Sequence, residues 1–300
     1  MGNAEEQKQN KLLDFLRDVL RGVAIGVAFI IPGFSGGSVA AILGIYEKLV
    51  GAIADIFKHF KSSVLTLLPI ALGMLLGIAA LILPIQWGLR NYPIPTVTLF
   101  VGLALGGLPS VTDKMAGGRP KIGHILALLI PLAGAAALCF LPLAGEVDLF
   151  HLSVGGYFLL VLVGIVASAA LVVPGISGSM LLLIFGYYNP VVQMITVNLL
   201  HGQQVGICLL VLACLALGVI IGFFGISVLM KVLLKKFPRG TYFAIFGFIV
   251  GSIPAVYAST IRETGTALFS NPWYWVVAAL MLLLGFALSF ALVLWAKKKK

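Results

Sequence analysis

Two short stretches carry residue types suited to binding an anion. Pro32-Gly33-Phe34-Ser35-Gly36-Gly37-Ser38 lies near the N-terminus, and Pro174-Gly175-Ile176-Ser177-Gly178-Ser179 repeats its pattern 142 residues later. Proline fixes its own backbone angle and lacks an N–H, so an incoming helix tends to stop there. The glycines permit positive φ and close approach by another group. A helix leaving near Ser38 has first-turn N–H groups without partners inside the helix. A helix N-terminus also carries about half a positive charge, so a phosphate or carboxylate is a natural partner. The candidate anion-binding residues are therefore Gly33, Ser35, Gly36, Gly37 and Ser38, with Gly175, Ser177, Gly178 and Ser179. Two such loops facing one another would cradle one anion. The alternative is a tight turn in each half, capped by its own serine.

Fixed charge near these stretches is scarce. Glu47 and Lys48 follow the first one, whereas the matching positions in the second half are Asn189 and Pro190. A charge at the bilayer centre costs about 2.5–3.5 kcal/mol on insertion scales. Two readings of Glu47 stand: a proton-coupling carboxylate, or a residue already near the interface, where Lys48 snorkels. Arg21 precedes the first apolar arm. It either anchors that arm at the interface or pairs with Glu47 or a ligand phosphate. Tyr46, Tyr187 and Tyr188 read as packing or interfacial residues.

The elements that position these groups follow from composition. Of 300 residues, 61% are hydrophobic and 10% charged, with mean hydropathy +1.12. A soluble domain is about 45–50% apolar and about 25% charged. A soluble globule, a disordered chain and a nucleic-acid binder are excluded, and an all-α polytopic membrane protein is expected. The net charge of +10 fits basic inner loops. Cys139, Cys208 and Cys214 lie in apolar segments and the four histidines are isolated, so neither a metal site nor a cofactor is expected. A nucleotide-binding motif is lacking, so ATP is not the direct driver.

Apolar segments fall at 22–31, 38–54, 64–85, 94–111, 122–143, 155–173, 180–198, 205–230, 241–258 and 272–296. Leu12, Leu13, Leu16 and Leu20 share one face of a preceding stretch whose other face holds Asp14, Arg17, Asp18 and Arg21. The expected parts are an amphipathic interfacial helix at 1–20, membrane repeats at 21–150 and 151–296, and a basic tail at 297–300. Loops rich in Lys and Arg, such as those at Lys58, Lys114 and Lys235, are placed on the cytoplasmic side together with both termini. The loop with Glu146, Asp148 and His151 is placed outside. Parity then requires 22–57 and 155–198 to enter and leave on the same face, from opposite sides of the membrane. The first arm, about 15 Å long at about 1.5 Å per residue, is too short to span alone.

The halves resemble each other beyond the serine–glycine stretches. Gly44-Ile45-Tyr46 aligns with Gly186-Tyr187-Tyr188, Gly73 and Gly77 with Gly218 and Gly222, and Gly102 and Gly106 with Gly247 and Gly251. Each half holds a re-entrant hairpin and three full spans. An odd number of crossings turns the second copy upside down, giving two inverted-topology repeats. Many alternating-access transporters are built this way, with the site near the midplane.

With Arg21-Gly22, PGFSGGS, Gly44-Ile45-Tyr46-Glu47 and PGISGS in view, the chain resembles the bacterial polyprenyl-phosphate transporter family over roughly residues 12 to 296. That family was long listed as a domain of unknown function. The resemblance implies a bacterial inner-membrane protein, not an enzyme. It would return undecaprenyl phosphate from the outer to the inner leaflet and so recycle the carrier lipid of peptidoglycan synthesis. It carries over Pro32, Gly33, Ser35, Gly36, Gly37, Ser38 and Glu47, with Pro174, Gly175, Ser177, Gly178 and Ser179. The expected partners are a polyprenyl phosphate and the membrane, with coupling to protons or sodium as one option. A transporter of a small soluble anion would share the fold, but should line its path with more polar residues. A lipid phosphatase would need an acid–base or metal constellation that the sequence does not supply.

Overall fold

The amphipathic stretch and the first apolar arm form one helix, α1 (Gly2–Ile30), of 29 residues. At about 1.5 Å per residue it is about 43 Å long. Leu12, Leu13, Leu16 and Leu20 face outward, whereas Asp18 of the polar face is buried against the protein. The computed structural model describes residues 2–30, 35–137, 140, 144–176, 178–264 and 272–298.

After α1 come α2 (Gly36–Ile42), α3 (Tyr46–Ala54), α4 (Phe60–Asn91), α5 (Pro93–Met115) and α6 (Ile122–Ala137). The second half repeats the order with α7 (Val154–Val172), α8 (Gly178–Ile184) and α9 (Tyr188–Gln193), which runs on as a π-helix over Met194–Leu199. Then follow α10 (Val205–Lys236), α11 (Pro238–Thr264) and α12 (Pro272–Lys298). Among the described residues there is no strand. Among the described residues six helices are long and apolar enough to cross a membrane: α4, α5, α7, α10, α11 and α12. The described part of α6 is 16 residues.

The apolar segments 38–54 and 180–198 are each broken in two, at equivalent glycines. Gly44 has φ +70° and Gly186 φ +76°. The Gly44 N–H donates to Ala41 O (3.1 Å) and that of Ile45 to Ala40 O (3.0 Å). Gly186 and Tyr187 repeat this on Leu183 O (3.0 Å) and Leu182 O (2.9 Å). This glycine-closed helix end satisfies the last carbonyls of α2 and α8. Hydropathy is blind to it, because a left-handed glycine is as apolar as a helical one.

Glycines at matching positions also set the long-helix pairs. A Cβ on Gly22, Gly73 or Gly77 would stand 2.1, 2.0 or 2.4 Å from Ile70 O, Val19 O or Val23 O, so α1 and α4 touch backbone to backbone. On Gly164, Gly218 and Gly222 it would stand 2.5, 2.1 and 2.6 Å from Leu215 O, Val161 O and Ile165 O, joining α7 to α10. The remaining pairs cross between the halves. Gly102 and Gly106 of α5 lie against Leu282 and Phe286 of α12, and Gly247 and Gly251 of α11 against Leu128 and Leu132 of α6. Small residues allow such approach in membrane bundles, where packing replaces the hydrophobic drive. The largest buried cluster surrounds α2 and α3 and includes Ile25, Tyr46, Val50, Val172 and Ile245. A second surrounds Leu160, Tyr187, Met194 and Val211.

Candidate functional site

The two serine–glycine stretches, remote in sequence, lie against each other. A Cβ on Gly37 would stand 3.0 Å from Val172 O and 3.3 Å from Pro174 N. Ser35 directs its hydroxyl across this junction to Ala170 O (3.4 Å) and Val173 O (3.5 Å). Tyr46 donates to Val172 O at 2.9 Å. The serine is the N-cap of α2 by position, yet its side chain makes no capping bond. Its backbone carbonyl instead receives the N–H groups of Ser38 (3.0 Å) and Val39 (3.3 Å). The self-capped turn is therefore not what Ser35 forms.

Ser35, Gly36, Gly37 and Ser38 are all buried, as are Pro174 and Gly175. Gly36 packs under the Phe29 ring, where a Cβ would meet Cε2 at 2.6 Å. Gly175 has φ +83° and passes so close to α11 that a Cβ would stand 2.4 Å from Phe248 O. Gly178 faces Ala170 of α7. The junction is thus closed, with the glycines spent on close backbone packing. Gly33 and Ser177, like Pro32 and Phe34, lie outside the described residues, as does the side chain of Ser179.

The charges gather at the start of α3, where three consecutive residues reach three directions. Tyr46 reaches α7. Glu47 Oε1 accepts from the Tyr242 hydroxyl of α11 (2.6 Å) and from Lys114 of α5 (3.3 Å). Lys48 pairs with Asp18 of α1. Arg21 also bonds Asp18, at 3.0 Å, so its partner is this carboxylate rather than Glu47. Lys48 is likewise an ion-pair partner of a buried acid rather than a lone snorkelling residue. Asp55, just past α3, pairs with Lys231 of α10. That hydrogen bond holds the Asp55 carboxyl below its ordinary range. The contribution of this pair is therefore present above the ordinary carboxylate range and is lost as pH falls through the lowered value. In the second half Asn189, the counterpart of Glu47, donates to Glu146 at 2.8 Å. The α3 end is thus gripped by ion pairs and the α9 end by a charge-to-amide bond. Among the described residues no group of three His, Cys, Asp or Glu converges as a metal site would require.

A profile of undecaprenyl phosphate translocase-like proteins matches residues 25–270. The chain belongs to this family. A polyprenyl-phosphate transporter of Vibrio cholerae is 34% identical over 111 residues, covering 32% of this chain and 35% of that protein. A polyprenyl-phosphate transporter of Staphylococcus aureus is 33% identical over 93 residues, covering 31% and 33%. The matched segments thus span about a third of each relative's length. No solved structure matches the chain. The translocase-like family fits a multi-pass membrane protein, with six candidate crossings among the described residues.

Sequence reasoning missed Tyr46, Asp18, Lys114 and Tyr242 as partners within this site. Tyr46 had one available signal, its place directly after the glycine-closed end of α2.

Proposed function

We propose that this chain is a polyprenyl-phosphate transporter, not an enzyme. It would carry undecaprenyl phosphate or a close relative from the outer to the inner leaflet of a bacterial cytoplasmic membrane. The family membership and the names of its relatives support the substrate class. The observation that carries the site is the junction itself: Gly37 seated on Val172 and Pro174, with Ser35 reaching Ala170 and Val173. In this closed arrangement an anion enters only when the two stretches part. The Gly36 and Gly37 amides at the start of α2 and their counterparts Gly178 and Ser179 at the start of α8 would then face the phosphate, and the hydroxyls of Ser35, Ser38, Ser177 and Ser179 are the proposed side-chain ligands. Arg21 would help draw it in.

The recurrence of the glycine contacts at matching positions supports two copies of one unit, membrane repeats 21–150 and 151–296. We place these with inverted topology, re-entrant hairpins and both termini cytoplasmic, from loop charge and crossing parity. The 1–20 stretch serves as the interfacial lead-in and 297–300 as a basic tail. An open apolar groove of about 390 Å³ beside α7, lined by Leu159, Leu162, Val163, Val166 and Phe185 among others, suits a prenyl chain better than a soluble anion. Glu47, where α3, α5 and α11 meet, is the proposed coupling carboxylate, with a proton or sodium as the coupled ion.

The test is leaflet-resolved translocation of undecaprenyl phosphate by purified protein in liposomes, with and without a pH gradient. The wild type should move the lipid. The Ser35→Ala/Ser177→Ala variant should slow it at least about tenfold, the loss expected when hydrogen bonds to a charged group are removed. Full transport by the double variant would remove the serine–glycine junction as the phosphate site. Uptake of a labelled soluble anion, indifferent to added lipid phosphate, would replace the substrate class.

A further inference from the structure

The C-terminal end of α7 is buried inside the protein, where its last carbonyls need donors. Ala169 O is used by the Val173 N–H. The following carbonyls have no N–H ahead of them in the helix. Leu171 lies at the surface. The single hydroxyl hydrogen of Ser35 is shared between Ala170 O and Val173 O, and Tyr46 donates to Val172 O. The two donors bind unequally. The contacts of Ser35 are long, at 3.4 and 3.5 Å, whereas that of Tyr46 is 2.9 Å. Tyr46 is 1% exposed and Val172 3% exposed, so water does not substitute for the phenol while the junction is closed.

We propose that Tyr46 is a positioning residue that locks the two serine–glycine stretches together, and that its bond to Val172 O exists only while the junction is closed. Once the first hairpin moves off α7, water reaches the Val172 carbonyl and the phenol alike. The bond then contributes nothing, so it stabilises one state against the other. The neighbouring residues strengthen the assignment. Glu47 and Lys48 tie the same turn of α3 to α5, α11 and α1, so Tyr46 projects from a fixed base and α7 is the element it releases. The consequence for transport rests on the proposed function; the lock itself does not.

The test reads opening without substrate. A reporter Ala40→Cys is placed on α2, at a site that is 0% exposed, in the full chain with Cys139, Cys208 and Cys214 replaced by alanine. Alkylation by a membrane-impermeant maleimide is timed in vesicles of each orientation. Tyr46→Phe should speed alkylation from one side about tenfold, the population shift equivalent to losing one buried hydrogen bond and leaving its acceptor unpaired. Tyr274→Phe is the matched control. It deletes a phenol that bonds Asn91 O at 3.1 Å, far from the junction in sequence and exposed, and should leave the rate unchanged. Equal rates for Tyr46→Phe and wild type overturn the lock. Equal acceleration by both variants also overturns it, by showing general loosening. A lock that holds in a protein that moves no lipid phosphate would sink the transporter reading alone. Transport with an unaltered Tyr46→Phe opening rate would sink the lock alone.

Discussion

A single methyl group at position 73 is expected to prevent stable assembly. The Cβ of Gly73→Ala would stand 2.0 Å from Val19 O and 2.9 Å from the Gly22 Cα. Both are backbone atoms, so no rotamer change makes room. The helices α1 and α4 must separate, and the stations at Gly22, Gly26 and Gly77 open with them. Overpacking ordinarily costs about 1–3 kcal/mol, and a backbone clash shared along one interface belongs at or above that upper end. Gly218→Ala should behave alike, since its Cβ would stand 2.1 Å from Val161 O. Gly225→Ala on α10 is the contrast, because an added Cβ there meets nothing within 4 Å. Helix propensity makes that change worth up to about 1 kcal/mol in favour of folding. Thermal unfolding in detergent separates these outcomes. If Gly73→Ala and Gly225→Ala melt together, the backbone contact of α1 with α4 does not exist.

Loss of the Asp18 charge is the second large effect. Asp18 is 5% exposed and holds both Lys48 and Arg21. Breaking a fully buried ion pair costs about 3–5 kcal/mol. The side chains of Lys48 and Arg21 are 46% and 38% exposed and can turn toward water, so Asp18→Asn should cost roughly 1–3 kcal/mol. Lys48→Met should cost less, because Asp18 keeps Arg21. The double variant should be less damaging than the sum of the singles, with a coupling above about 0.5 kcal/mol. Proteolysis of the chain between α2 and α4 should follow the same order, since Lys48 ties α3 to α1. Strict additivity in the thermal cycle would mean that the pair does not form.

The long helices were legible because their apolar runs are long. The glycine repeats were legible as repeats, but a glycine face does not name its partner. Gly73 finds α1, within its own half, whereas Gly102 finds α12, in the other. The breaks at Gly44 and Gly186 escaped the hydropathy reading because they depend on a dihedral sign. The ion pairs escaped it for another reason. Lys48 and Asp18 are 30 residues apart, Lys114 and Glu47 67, and Lys231 and Asp55 176, so only the tertiary arrangement brings them together. At Ser35 the residue type left two roles open, an anion ligand or a helix cap. A hydroxyl also donates, and the observed use is that third one, toward carbonyls of the other half.

The exchange of α5–α12 and α6–α11 partners has a bearing on how the protein is made. When the ribosome has finished α6, the Gly102–Gly106 seam of α5 is still bare, and it remains so until α12 emerges. The nascent chain therefore waits in the bilayer with its grooves uncovered through the whole synthesis of the second half. A stop codon anywhere before α12 leaves this seam of α5 unmatched, so truncated products should be substrates for quality-control proteolysis rather than smaller functional proteins.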